Sequence, residues 1–236
     1  MSALKRRSPK MYNNEDDVSE ADTVGSEDIF SESSHDTDDG YSLHLIQRED
    51  VSTRESQIRG AGLGVFCKKP LEPGTILPMY AVVRKVSEID STDDSSYYMS
   101  ISYTNSRGDK RNLTNIVSDG NPNLPSLKKL PRNMRAASYV NEASRYPPNC
   151  IFISNPMLTK EDVTRAYRYK TPIVSALLVV PRFIGKGEEL FTLYGKDFVR
   201  HYSPWSGKDE DTRELQDLAH EIVSSVEDEL VCCLNK

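Results

Sequence analysis

Hydrophobic and polar positions change their pattern several times along this chain. Residues 1–40 hold many Ser, Asp, Glu and Asn and few large apolar side chains, too few to offset the entropy of ordering. An unstructured arm is expected there. Residues 41–54 read as a lead-in, with Tyr41 to Ile46 mildly apolar and a candidate first strand. From Gln57 to Val83, short apolar runs such as Gly64-Val65-Phe66-Cys67 and Ile76 to Val83 are punctuated by Gly and Pro. Pro73-Gly74 marks a tight turn between two strands. Residues 105–133 turn polar and rich in Asn, Lys and Pro, which predicts a long insertion. Cys150 to Ile153 and Ile173 to Val180 read as buried strands, and Leu158 to Ala166 as a polar connection between them. The stretch Pro181 to Leu190 reads as a turn feeding another strand.

After Asp209 the period changes. Leu215, Leu218, Ala219, Ile222, Val223, Val226 and Leu230 recur three and four apart, which predicts an amphipathic helix with acidic residues at its start. Its apolar stripe can pack back on the domain, or serve a second copy or a partner through residues 209–231. The pattern as a whole predicts a mostly β domain over 55–205 and a helical tail over 206–236. The length of 236 residues suits one substantial domain with tails.

Charge follows the same boundaries. Residues 11–50 carry thirteen acidic residues and one basic residue, Arg48, whereas residues 55–205 carry twenty-one basic and fourteen acidic, a net of +7. A positive domain can favour an acidic partner surface such as nucleosomal DNA. The same scatter of Lys and Arg is also what an ordinary solvated surface shows, because no compact basic run appears. Cys67, Cys150, Cys232 and Cys233 have no C-x-x-C spacing, so neither a metal site nor a disulfide framework is expected. No apolar stretch approaches the roughly 20 residues that span a bilayer. These features point to an intracellular protein without membrane contact. The basic start Lys5-Arg6-Arg7 reads as a minimal nuclear import signal or, slightly favoured, simply as a charged, disordered end; nucleus is expected ahead of cytoplasm.

Candidate chemistry lies in three blocks: Arg59-Gly60-Ala61-Gly62-Leu63-Gly64-Val65-Phe66, Tyr139-Val140-Asn141-Glu142-Ala143-Ser144, and Gly187-Glu188-Glu189-Leu190-Phe191-Thr192-Leu193-Tyr194-Gly195. In their order and spacing they resemble a SET domain, the catalytic domain of a family of protein lysine methyltransferases. Tyr139-Val140-Asn141, followed by Asn149-Cys150 and Phe152, is similar to the PR subclass of that family. The resemblance implies a SET-type fold, in which several small curved β-sheets surround a variable insert, and S-adenosylmethionine as methyl donor. It also implies a protein lysine as acceptor, with a histone tail foremost.

By the same resemblance Gly62, Leu63 and Gly64 would line the methionine end of the donor, since a Gly-x-Gly loop lets backbone approach a ligand. Asn141 matches the asparagine of the family's Asn-His-Ser-Cys motif, with Glu142 and Ala143 following it here, and Asn141 and Glu142 would contact the donor. Tyr194 matches the catalytic tyrosine. Tyr97, Tyr98 and Tyr103 are candidates for the lysine channel, and Thr192, where an aromatic often limits methylation, would leave room for more than one methyl group. Phe198, Tyr202 and Trp205 form an aromatic strip that could cover the site. The family's cysteine cluster after the tyrosine is absent between Gly195 and Leu230, so no zinc is implied. Because Glu142 and Ala143 depart from the family motif, a second reading stays open: a catalytically silent module that binds a chromatin or regulatory protein.

Overall fold

The computed structural model describes residues 44–45, 50–90, 95–105, 107–194, 203–207 and 209–234. The arm expected over 1–40 lies outside the described residues, as do Gly195, Phe198 and Tyr202. In chain order the strands are β1 (His44–Leu45), β2 (Val51–Glu55), β3 (Leu63–Cys67), β4 (Thr75–Lys85), β5 (Tyr98–Thr104), β6 (Lys110–Asp119), β7 (Asn141–Glu142), β8 (Ile151–Ser154), β9 (Ile173–Val180) and β10 (Phe191–Thr192). The helices are α1 (Pro125–Lys128), α2 (Lys160–Tyr169), α3 (Asp209–Ser225) and α4 (Glu227–Leu234). Short 3-10 segments occupy Ser95–Tyr97 and Asn133–Tyr139.

A strand as apolar as β9, broken only by Ser175, is stable only where both faces of its sheet are covered. Successive side chains of a strand point to opposite faces, so Ala176, Leu178 and Val180 join one core while Leu177 and Val179 join the other. The sheet is ordered β5-β6-β4-β9-β8, with β1 parallel to the start of β4. Its first face is covered by the β2–β3 hairpin and the segment Asn133–Tyr139, through Val51, Val65, Ala136, Ala137 and Val140. The second is covered by α3, α4 and the Val226 between them, through Leu215, Ala219, Ile222, Val223, Val226 and Leu230 against Ile76, Ile151 and Ile153. The single helix expected from the sequence is divided into α3 and α4 at Val226, and its apolar stripe, apart from the half-buried Leu218, is spent on the chain's own sheet. Ile222 is fully buried, and Ile222→Ala should cost about 2–5 kcal/mol in urea denaturation. A partner-facing stripe would leave the isolated chain's stability almost unchanged by that substitution.

Two stretches differ from expectation. Leu158 to Ala166, read as a polar connection, contains most of α2. A capping box starts that helix: the Asp162 N–H donates to Thr159 Oγ1 at 3.1 Å, and the Thr159 N–H to Asp162 Oδ2 at 3.3 Å. Only Val163 and Ala166 of the helix are buried, so its apolar face was too narrow to stand out. The polar insertion at 105–133 contains β6, ten residues paired with both β5 and β4. Most of its side chains are exposed or half-buried, which removed the alternation that marks a strand.

Of the cysteines, Cys67 and Cys150 are buried and Cys232 and Cys233 exposed. Burial, with a smaller contribution from the Glu188 charge, pushes the Cys67 thiol up to about 12, and burial raises Cys150 as well. Only a thiolate is a good nucleophile. Alkylation of the folded protein near neutral pH, read by mass spectrometry, should therefore label Cys232 and Cys233 and spare the other two until denaturant is added.

Candidate functional site

Between β2 and β3 the chain makes a loop that cannot be closed by ordinary turn residues alone. The Ser56 N–H donates to the Gly62 carbonyl at 2.8 Å, and the path between them requires left-handed backbone at Gly60 (φ 84°) and Gly62 (φ 79°). A Cβ at either glycine would enter open space, so the loop presents bare backbone to its surroundings. The two-residue strands β7 and β10 run parallel, pairing Phe191 with Asn141 and Thr192 with Glu142. This pairing brings the second and third sequence blocks side by side. Asn141 then reaches the first block, its Nδ2 donating to the Leu63 carbonyl at 3.0 Å.

The three blocks thus meet around one cavity of about 890 Å³, walled by residues 57–63, Tyr97, Tyr139, Asn141, Glu142, Arg145, Tyr146 and Tyr194 among others. That volume lies within the roughly 300–1,000 Å³ common for small-molecule sites. Tyr194 is held at both ends. Its backbone N–H donates to Glu142 Oε1 at 3.0 Å, and its hydroxyl donates to the Val140 carbonyl at 2.9 Å. Having donated its proton, the hydroxyl oxygen retains lone pairs able to accept from a ligand. Glu142 is largely buried within that wall, one of its oxygens engaged by the Tyr194 N–H. The Tyr146 ring stacks on Phe191 at 5.3 Å, and Arg59 and Arg145 bring positive charge to the same cavity. Ser203, Pro204 and Ser206 also border it, pinned by the Trp205 N–H, which donates to the Ala143 carbonyl at 2.9 Å.

Of the residues singled out in the sequence, Gly62, Leu63, Asn141, Glu142, Tyr194 and Tyr97 border this cavity. Gly64 does not. A Cβ there would stand 2.7 Å from the Glu189 carboxyl carbon and closer still to Oε1, so Gly64 leaves room for a side chain of the chain itself. Tyr98 faces away, under the Arg84 guanidinium and accepting from its Nη1 at 3.1 Å, while Arg84 also pairs with Asp119. Tyr103 sits opposite Arg111 in the β5–β6 ladder. Thr192 is fully buried, its Oγ1 without a hydrogen-bond partner among the described residues, and it does not border the cavity. Its size therefore cannot widen the cavity directly. Trp205 lines a separate cleft of about 270 Å³ with Pro147, Pro148 and Phe183. Tyr202 lies outside the described residues.

Two side chains that hold the candidate site together escaped the sequence reading. Asn149 Nδ2 donates to the Glu189 carbonyl at 2.8 Å while its Oδ1 accepts from the Phe191 N–H at 2.8 Å, so one amide fixes the strand that leads to Tyr194. Glu189 is 2% exposed, and its carboxylate accepts from Ser56 Oγ at 2.6 Å, the Gln57 N–H at 2.7 Å and Asn141 Nδ2 at 3.2 Å. Burial of an acidic residue this deep marks it out once the fold is known, but its partners are remote in sequence, Ser56 and Gln57 more than a hundred residues away and Asn141 48 residues away.

No protein-family model matches the chain, and no curated protein matches it. Among solved structures it is similar to the methyltransferase domain of human PR domain-containing protein 2, at 16% identity and a TM-score of 0.39, over 70% of this chain and 98% of that one. It is similar also to the SET domain of the RIZ1 tumor suppressor (PRDM2), at 16% identity and a TM-score of 0.41, over 75% of this chain and 81% of that one.

Proposed function

We propose that this chain transfers methyl groups from S-adenosylmethionine to a lysine side chain of a protein, a histone tail foremost. One observation carries the reading: residues from three distant blocks, including Gly62, Asn141 and Tyr194, wall a single cavity of ligand size. The residues fit such a donor. The open backbone around Gly60 and Gly62 can approach its methionine end, and Arg59 or Arg145 can pair with its carboxylate. When bound, the donor supplies an electrophilic methyl group on a sulfonium. The rings of Tyr97, Tyr139 and Tyr146 give the cavity aromatic faces that tolerate a cation. The Tyr194 oxygen, its O–H hydrogen-bonded to the Val140 carbonyl, can accept an N–H from the incoming amine and aim the nitrogen lone pair along the line of displacement. In this reading the protein works in the nucleus, and the net positive charge of residues 55–205 favours nucleosomal DNA nearby.

Calorimetric titration of S-adenosylmethionine into the purified protein, followed by assay of methyl transfer to core histones, tests the proposal. Binding with transfer supports it. Binding without transfer moves the search to a non-histone lysine, which uses the same chemistry. The second reading, a silent interaction module, is favoured by the inward engagement of both Glu142 and the Tyr194 hydroxyl, and absence of donor binding would select it.

A further inference from the structure

Behind the cavity wall lies a carboxylate with no cation paired to it among the described residues. Removing a carboxylate from water is costly unless its oxygens find donors. Glu189 satisfies its two oxygens with three: Ser56 Oγ and Asn141 Nδ2 on Oε1, and the Gln57 N–H on Oε2. Each donor belongs to a part of the wall. Ser56 and Gln57 open the loop that carries Gly60 and Gly62, and Ser56 Oγ in turn accepts from the Ile58 N–H at 3.0 Å. Asn141 is shared between Glu189 and the Leu63 carbonyl at the far end of that loop. The space for this carboxylate exists only because residue 64 has no side chain.

We infer that Glu189 is the positioning residue of the methyl-donor site, acting through Ser56, Gln57 and Asn141; this rests on the methyl-donor reading of the cavity. The carboxylate itself is buried behind the wall and does not border the cavity. Its two ends have different requirements. Oε2 faces a backbone N–H that can only donate, and Oε1 faces an amide nitrogen whose carbonyl partner at Leu63 prevents it from turning over. Both positions therefore demand acceptors, which a carboxylate supplies and a carboxamide cannot. Glu189→Gln keeps the shape but places an NH₂ group against one of these donors.

The expected result is that Glu189→Gln weakens S-adenosylmethionine binding about tenfold to hundredfold, the effect of one unsatisfied buried donor. In turnover the donor KM rises by the same factor and kcat at saturating donor is kept. Ile153→Val, which loosens the opposite face of the sheet, should leave donor affinity unchanged, so general destabilisation cannot mimic the result. Should Glu189→Gln fail to fold, Ser56→Ala removes a single donor to the same carboxylate and should weaken donor binding severalfold. A wild-type protein that binds the donor while the variants bind it equally well would overturn the inference, as would a fall in kcat at unchanged affinity. A wild-type protein that does not bind the donor would instead remove the reading on which the inference rests.

Discussion

Tyr194→Phe is expected to lower methyl transfer by roughly a hundredfold or more, the scale of effect seen when a reacting group loses its alignment, while donor affinity changes by only a few fold. The split follows from the way Tyr194 is held. Its backbone is fixed by Glu142 and by the β7–β10 pairing, neither of which needs the hydroxyl. The ring should therefore keep its place and the cavity its shape. What is lost is one oxygen that can accept from the amine, together with the bond to Val140. Losing that bond costs about 1 kcal/mol of stability, a fall of a few degrees in Tm for a chain of this size. Donor titration, a thermal melt and a transfer assay on the same preparation separate the three effects. Unchanged transfer would take Tyr194 out of the reaction and leave its hydroxyl as a brace for Val140.

The parts of this molecule that follow from short-range pattern were legible in the sequence. The three-and-four spacing of α3 announces burial through a period that a helix satisfies, and β9 announces it through a short, almost wholly apolar run rich in β-branched residues. The Pro73-Gly74 turn is found with Gly74 in left-handed backbone, its N–H donating to the Val180 carbonyl at 3.0 Å. α2 and β6 were illegible for the opposite reason: each rests on the domain by a few side chains, so the pattern that would announce it is diluted by solvent-facing residues. The candidate site divides in the same way. Gly62, Asn141 and Tyr194 could be identified because motif positions mark them, and they do border one cavity. Tyr98 and Tyr103 could not be sorted from Tyr97, because Tyr97 ends a short 3-10 segment before β5, and the facing of β5 depends on its pairing with β6 and on the register shift between Ser100 and Ile101. Gly64 and Glu189 were each visible as motif letters, yet their roles exist only as a pair.

That pair gives the second large effect. Gly64→Ala inserts one carbon where the Glu189 carboxylate sits, in a wall already closed by Asn141 Nδ2 at 3.3 Å from the same point. Over-packing of this kind costs about 1–3 kcal/mol, and displacement of the carboxylate strands its three donors. Donor binding should fall by about a hundredfold or more, on the scale of about 3 kcal/mol for several unsatisfied groups. A ligand-facing glycine would lose binding too, so the single substitution does not tell the two roles apart. The combination with Glu189→Ala does. If Gly64 serves only to make room for Glu189, both changes destroy the same network, and the double variant binds the donor about as weakly as either single one. If residue 64 touches the donor itself, the two losses add and the double variant is weaker by their product. Titration of the four proteins closes that cycle, and the geometry, in which Gly64 abuts Glu189 and does not border the cavity, predicts the non-additive outcome.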